Sequence, residues 1–193
     1  MKMVTQNHKN YWRYFLTIED DLIKLSRFIE FDSENYSTYS IELVRILLVS
    51  CSEIDVLLKL LCKELKPDCD CKNIGEYADV ILEKIPLIQE LEIYIPEYSI
   101  KLLPWEGWKK GNKPEWWNDY TNIKHQRQAN YKKASLKNAL YAVAALYAVE
   151  ILYYTQLEQH SVEGHAINLA RYHHDLIAKL FELDSKYDPT EFG

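Results

Sequence analysis

The chain has 193 residues, 48% of them hydrophobic and 27% charged, with a formal net charge of −6. That size fits one domain around one sizeable core, and the acidic balance excludes global steering toward nucleic acid while leaving room for a local basic patch. Five glycines and six prolines are too few for the many tight turns of a sandwich or barrel, so long helices are expected.

The first expected helix runs from about Asn10 to Ile29, because Phe15, Ile18, Leu22, Leu25 and Ile29 recur at spacings of three and four. The residues before it lack the apolar core of a signal peptide. No apolar run in the chain is read as a membrane span. A cytoplasmic protein with no membrane partner is therefore the expectation. Its four cysteines, Cys51, Cys62, Cys69 and Cys71, would then be reduced thiols.

After a polar break at Phe31–Ser37, Ser37 or Ser40 can cap a second helix that Pro67 stops after Leu65. Ile41, Val44, Leu47, Leu48, Cys51, Ile54, Leu58 and Leu61 give it a very broad apolar face, which marks a central helix. Arg45, Ser52, Lys59 and Lys63 define its wet side, and Glu53 falls at the boundary. Cys51 and Cys62 read as small core residues. Cys69 and Cys71 have a metal-compatible C-x-C spacing, but no second pair or histidine lies near in sequence, so no metal is assigned.

A short helix from Ile74 to about Ile85 follows, and then the period changes. Residues 91–96 and 98–104 are short runs ended by prolines, either a small hairpin or merely extended segments. Pro114 suits the first position of a helix that carries E-W-W-N-D-Y-T-N-I-K-H-Q-R. Ser135 begins the longest apolar helix, to about Gln159, whose alanines permit close packing. Ser161 would cap a last amphipathic helix with Ile167, Ala170, His174, Ile177 and Phe181, followed by a loose tail. Adjacent His173 and His174 point about 100° apart on a helix and do not suit a shared metal. The expected architecture is an all-α, up-and-down bundle of about five to six helices with a small extended or β-hairpin insertion. It forms one domain over residues 1–183, with 184–193 as tail. The apolar circumference of the long helix points to a homodimer that buries part of it or of the last helix.

Residues 114–127 hold two tryptophans, a tyrosine, two asparagines, a lysine, a histidine and an arginine. Helical packing does not require that density of polar chemistry beside aromatics. Trp117, Thr121, Lys124 and His125 share a helix face, with Tyr120 on the next strip. Lys124, His125 and Arg127 fall where a helix C-terminus welcomes positive charge. His125 suits general acid or base work because imidazole titrates near neutrality. Lys124 and Arg127 suit phosphate, with Asn122, Tyr120 and Trp117 as further binding candidates, and Glu53 would orient His125 or Arg127 if the two helices touch. The structural alternative is a polar network of Glu53, His125 and Arg127, with Trp105, Trp108, Trp116 and Trp117 closing one end of the core.

W-W-N-D-Y-T-N-I-K-H-Q-R followed by A-S-L-K-N-A-L-Y-A-V-A-A-L-Y, with the C-S-E-I-D glutamate Glu53 on the earlier helix, resembles the HEPN-like superfamily. More narrowly, it resembles bacterial and phage proteins with a W-x-x-Y-N-x-x-K-H-x-R pattern. The resemblance implies a helical bundle, usually dimeric. It also implies RNA- or nucleotide-directed action in toxin–antitoxin or defence systems, often as a metal-independent RNase needing no cofactor, with an antitoxin protein as partner. The superfamily's usual signature places an arginine four to six residues before the histidine; here Tyr120, Asp119 and Asn118 occupy those positions, and Arg127 follows His125. The second reading is a non-enzymatic, dimeric interaction module.

Overall fold

The computed structural model describes residues 2–159 and 176–184. It contains α1 (Lys2–Ser26), α2 (Ile41–Leu65), α3 (Ile74–Lys84), β1 (Ile93–Ile95), β2 (Ile100–Leu102), α4 (Glu115–His125), α5 (Arg127–Asn130), α6 (Leu136–Gln159) and β3 (Glu182–Leu183).

The centre is α6 lying on α2, the most extensive contact between elements. Ala139, Ala142, Ala144, Ala145 and Ala148 are all fully buried, so small side chains let the two backbones approach closely. Leu140, Val143, Leu146, Tyr147 and Val149 are buried too, and a helix apolar all round belongs in a core. Residues 136–157 do meet the length and hydropathy of a membrane span, contrary to the sequence reading. However, 78% of the most apolar window is covered within the chain itself. The α1 face of Trp12, Phe15, Ile18, Leu22 and Leu25 closes another side.

Local signals set the boundaries. Ser40 caps α2, its hydroxyl accepting from Leu43 N at 3.1 Å, and Asn73 caps α3 by accepting from Gly75 N and Glu76 N. Pro114 stands at the cap of α4, one position before the expected first turn. The free N–H groups at the start of α6 are taken up from afar: Leu136 N donates to Thr38 O at 2.8 Å and Lys137 N to Tyr36 O at 3.2 Å. The expected first helix begins earlier, at Lys2, and stops at Ser26.

The proline-bounded insertion is a hairpin, with Ile93 opposite Leu102 and Ile95 opposite Ile100. Its turn needs Ser99 in the left-handed region at φ 53°. The sheet has a third strand that the sequence reading did not anticipate, because β3 pairs antiparallel with β1. The architecture is thus a mostly helical bundle, as expected, carrying a small antiparallel sheet in which the hairpin gains a third strand.

The expected last helix needs correction where it is described. Residues 176–181 are not helical, and 160–175, with His173 and His174, lie outside the described residues. The backbone donors of this segment are claimed by tertiary acceptors. Glu19 on α1, fully buried, accepts from Lys179 N at 3.0 Å and Leu180 N at 2.9 Å, while Asp184 N donates to Glu92 O at 3.2 Å. Phe181 is buried, with ring centroids 6.0 Å from Tyr147 and 6.5 Å from Phe15, whereas Ile177 is exposed.

Candidate functional site: the α4 helix and its C-terminal cations

The α4 helix docks on both α2 and α6, and its two sides differ sharply. Trp116, Trp117, Tyr120 and Ile123 are buried. Trp116 Nε1 donates to Pro104 O at 2.9 Å and Trp105 Nε1 to Ala145 O at 3.3 Å. Ring centroids run from Trp108 to Trp105 at 4.6 Å, on to Trp116 at 5.3 Å, Trp117 at 5.7 Å and Tyr120 at 5.2 Å. This continuous column, tilted between Trp108 and Trp105 and edge-to-face from Trp105 to Tyr120, is core packing. The structure therefore places Trp117 and Tyr120, two of the sequence-proposed binding residues, inside the protein.

Asn122, Lys124, His125 and Arg127 are exposed. The helix breaks at Gln126, whose backbone N–H donates to Asn122 O at 2.8 Å, and restarts as α5. Asn130 holds the break together by donating to Gln126 O at 3.0 Å and Asn122 O at 3.4 Å. Lys124 Nζ sits 5.6 Å from the centre of the Tyr120 ring, a cation–π contact. Burial raises the Tyr120 phenol above its ordinary value, and its hydrogen bond with Lys124 pulls it part of the way back. The neighbouring lysines are partly neutralised: Lys133 pairs with Asp119 at 2.9 Å and Lys137 with Glu115 at 3.0 Å. Lys132 lies 6.0 Å from the Tyr39 ring centre.

Glu53 does not join this group. It is half-buried on α2, and among the described residues no hydrogen bond or ion pair links it to Lys124, His125 or Arg127. Burial raises its carboxyl above the usual range. The charge it influences is that of Glu150 on α6, which is fully buried and held well above the ordinary value, first by burial and then by Glu53. The α2 carboxylate near the motif is Asp55, which lies close enough to Tyr77 and Tyr120 to act on the charge of both.

Sequence reasoning also missed a polar node that fixes α4 to α6. Asn138, almost fully buried, donates from Nδ2 to Asp119 Oδ2 at 2.9 Å and to Lys133 O at 2.8 Å. The signal was an asparagine in an alanine–leucine run, just as Glu150 was a lone carboxylate in the same helix. A cleft of about 270 Å³ opens at the other end of α4, lined in part by Pro104, Glu115, Trp116, Lys137, Asn138 and Tyr141. Ten residues of helix set Glu115 about 15 Å from His125 along the axis, so the cleft and the histidine are separate places. Among the described residues no group of three or more metal-ligating side chains is arranged to hold an ion.

Chemically, the α4 end offers two permanent cations and a histidine whose side chain neither donates to nor accepts from any described residue. For Lys124 and His125 the position in the last turn of α4 is favourable in itself, because the carbonyl end of the helix carries partial negative charge. Comparison with family models, with curated proteins and with solved structures finds no match to this chain.

Proposed function

We propose that this chain is a HEPN-like, up-and-down bundle protein directed at RNA or a nucleotide, working as a homodimer in a defence or toxin–antitoxin setting with an antitoxin protein as partner. The observation that supports the reading is the exposure of Lys124, His125 and Arg127 on one helix end, with none of the three in an ion pair among the described residues. Solvated, unneutralised cations are available to phosphate, and an accessible imidazole is available for proton transfer. Two histidines for an acid–base pair would have to come from two protomers. Because α6 is covered within its own chain, the interface would fall on another surface.

The test is incubation of purified protein with single-stranded RNA in EDTA. Cleavage or binding is expected. His125→Ala should abolish cleavage while leaving Tm within a few degrees, since the side chain is exposed. Arg127→Ala should weaken binding and lower the salt slope by about one phosphate contact. Wild-type protein that neither binds nor cuts RNA defeats the proposal.

A non-enzymatic, dimeric interaction module is the second reading, and the burial of Trp117 and Tyr120 favours it. The motif would then exist to seat α4 through its aromatic column and the Asp119–Asn138–Lys133 node. In that case light scattering shows a dimer at micromolar concentration while RNA is untouched.

A further inference from the structure

Three of the four cysteines come together away from α4. Cys62 lies in the last turns of α2, and Cys69 and Cys71 lie in the loop that leads to α3. Cys69 Sγ donates to Cys62 O at 3.4 Å, and Cys62 Sγ donates to Tyr77 O at 3.9 Å. The Cys71 thiol lies near enough to both of the other thiols for each to bear on its ionisation. Cys62 is fully buried, whereas Cys69 and Cys71 retain 8% and 9% exposure. The loop above them is held by Lys63 Nζ on Pro67 O at 3.2 Å and Lys72 N on Glu76 Oε2 at 2.7 Å. Both anchors are exposed and open cheaply, so a small reagent can reach the edge of the cluster.

We propose that Cys62, Cys69 and Cys71 form a thiol–disulfide exchange site in which Cys71 is the entry thiol and Cys62 the resolving thiol. The oxidant is a low-molecular-weight disulfide. The Cys71 thiolate attacks one of its sulfurs, forming a mixed disulfide and expelling one thiolate. The Cys62 thiolate then attacks Cys71 Sγ, closing the protein disulfide and expelling the second thiolate. Two protein thiols lose two protons and two electrons, and the small disulfide becomes two thiols. The bond would tie the 66–73 loop to the end of α2. Nearness to both neighbours makes Cys71 the shared partner, and greater exposure than Cys62 makes it the thiol met first. Burial raises the Cys71 and Cys62 thiols above their ordinary value, so the site is quiet near neutral pH and quickens as pH rises, about tenfold per unit while the thiolate is the minor form.

The experiment treats native, reduced protein with oxidised glutathione at pH 8, followed by intact mass and peptide mapping without reduction. The expected product has lost two hydrogens, carries no glutathione, and yields a Cys62–Cys71 linked peptide pair. Cys69→Ser should form the same bond, Cys71→Ser should not, and Cys51, buried in the middle of α2, should remain a thiol throughout. Four thiols that react only after denaturation would overturn the proposal, as would a disulfide mapped to Cys69–Cys71 or to Cys51.

Discussion

Removal of the Glu19 carboxylate should detach the 176–184 segment and cost more than any surface change in this protein. Glu19 has both oxygens committed: Oε1 accepts from Lys179 N and Leu180 N, and Oε2 accepts from Lys179 N at 3.1 Å. Glu19→Ala therefore leaves two backbone donors without an acceptor. Leu180 N is buried, and an unsatisfied buried donor costs about 1–3 kcal/mol. Lys179 N is only part-buried and finds water more readily. Release of the segment would also loosen Phe181 from Phe15 and Tyr147. Part of this loss is offset, because burial already disfavours the ionised carboxyl, whose pKa is raised even though the backbone donors of the segment pull it down. A net loss of about 2–4 kcal/mol follows. Urea denaturation measures the global term, and amide hydrogen exchange at Leu180 and Leu183 measures the local one. Glu19→Gln keeps one oxygen acceptor and should lose less than half as much. Lys179→Ala, which breaks only the exposed pair with Asp20, should leave the midpoint nearly unchanged. A Glu19→Ala protein within about 0.5 kcal/mol of wild type, with unaltered exchange at both amides, would show that packing rather than this carboxylate holds the segment.

Two further outcomes are expected. Asn138→Ala should cost about 1–3 kcal/mol in urea denaturation, because it orphans the Lys133 carbonyl and removes the donor to Asp119; a change below about 0.5 kcal/mol would mean water replaces the amide. Stability should rise as pH falls toward 4.5: the folded carboxyls of Glu19, Glu53 and Glu150 are raised above that value, so their contributions are complete below it and are lost as pH rises through each folded pKa. Asp21, lowered below 3.8 by Arg45 and Lys24 against the opposing effect of burial, acts oppositely, and its contribution disappears as pH falls through its folded pKa. Thermal melts of the Glu53→Gln, Glu150→Gln double variant should flatten the slope above pH 5; an unchanged slope would place the titration elsewhere.

The helices were legible because they are one-dimensional facts. Period, cap and proline stop α2 within a residue of its expected ends, its broad apolar face marks it as central, and the alanine run of α6 marks a closely packed helix. The prolines at 96 and 104 similarly end the two strands of the hairpin. The third strand was not legible. Glu182 and Leu183 have no strand pattern of their own, and they pair because Glu19 and β1 claim their neighbourhood. A three–four spacing of Ile177 and Phe181 is then incidental: Phe181 is buried from an extended backbone, and Ile177 is left in water.

The site shows the same limit more sharply. The sequence identified the residue types that crowd α4, but residue type does not say which side of the helix turns inward. The aromatic half went into the core and the cationic half into water, so a motif that reads as one constellation is two layers with different roles. The missing partner follows from the same geometry. Glu53 and Asp55 are two residues apart on α2, about 200° around the helix. The apolar pattern marks Glu53 as a boundary residue, but the crossing of α2 with α4 and α6 decides which carboxylate meets which neighbour. That crossing turns Asp55 toward Tyr77 and Tyr120 and brings Glu53 to Glu150. With its expected carboxylate facing elsewhere, His125 is left to solvent. Any chemistry it performs must then draw its orienting partner from a ligand, from a second protomer or from residues outside the described segments.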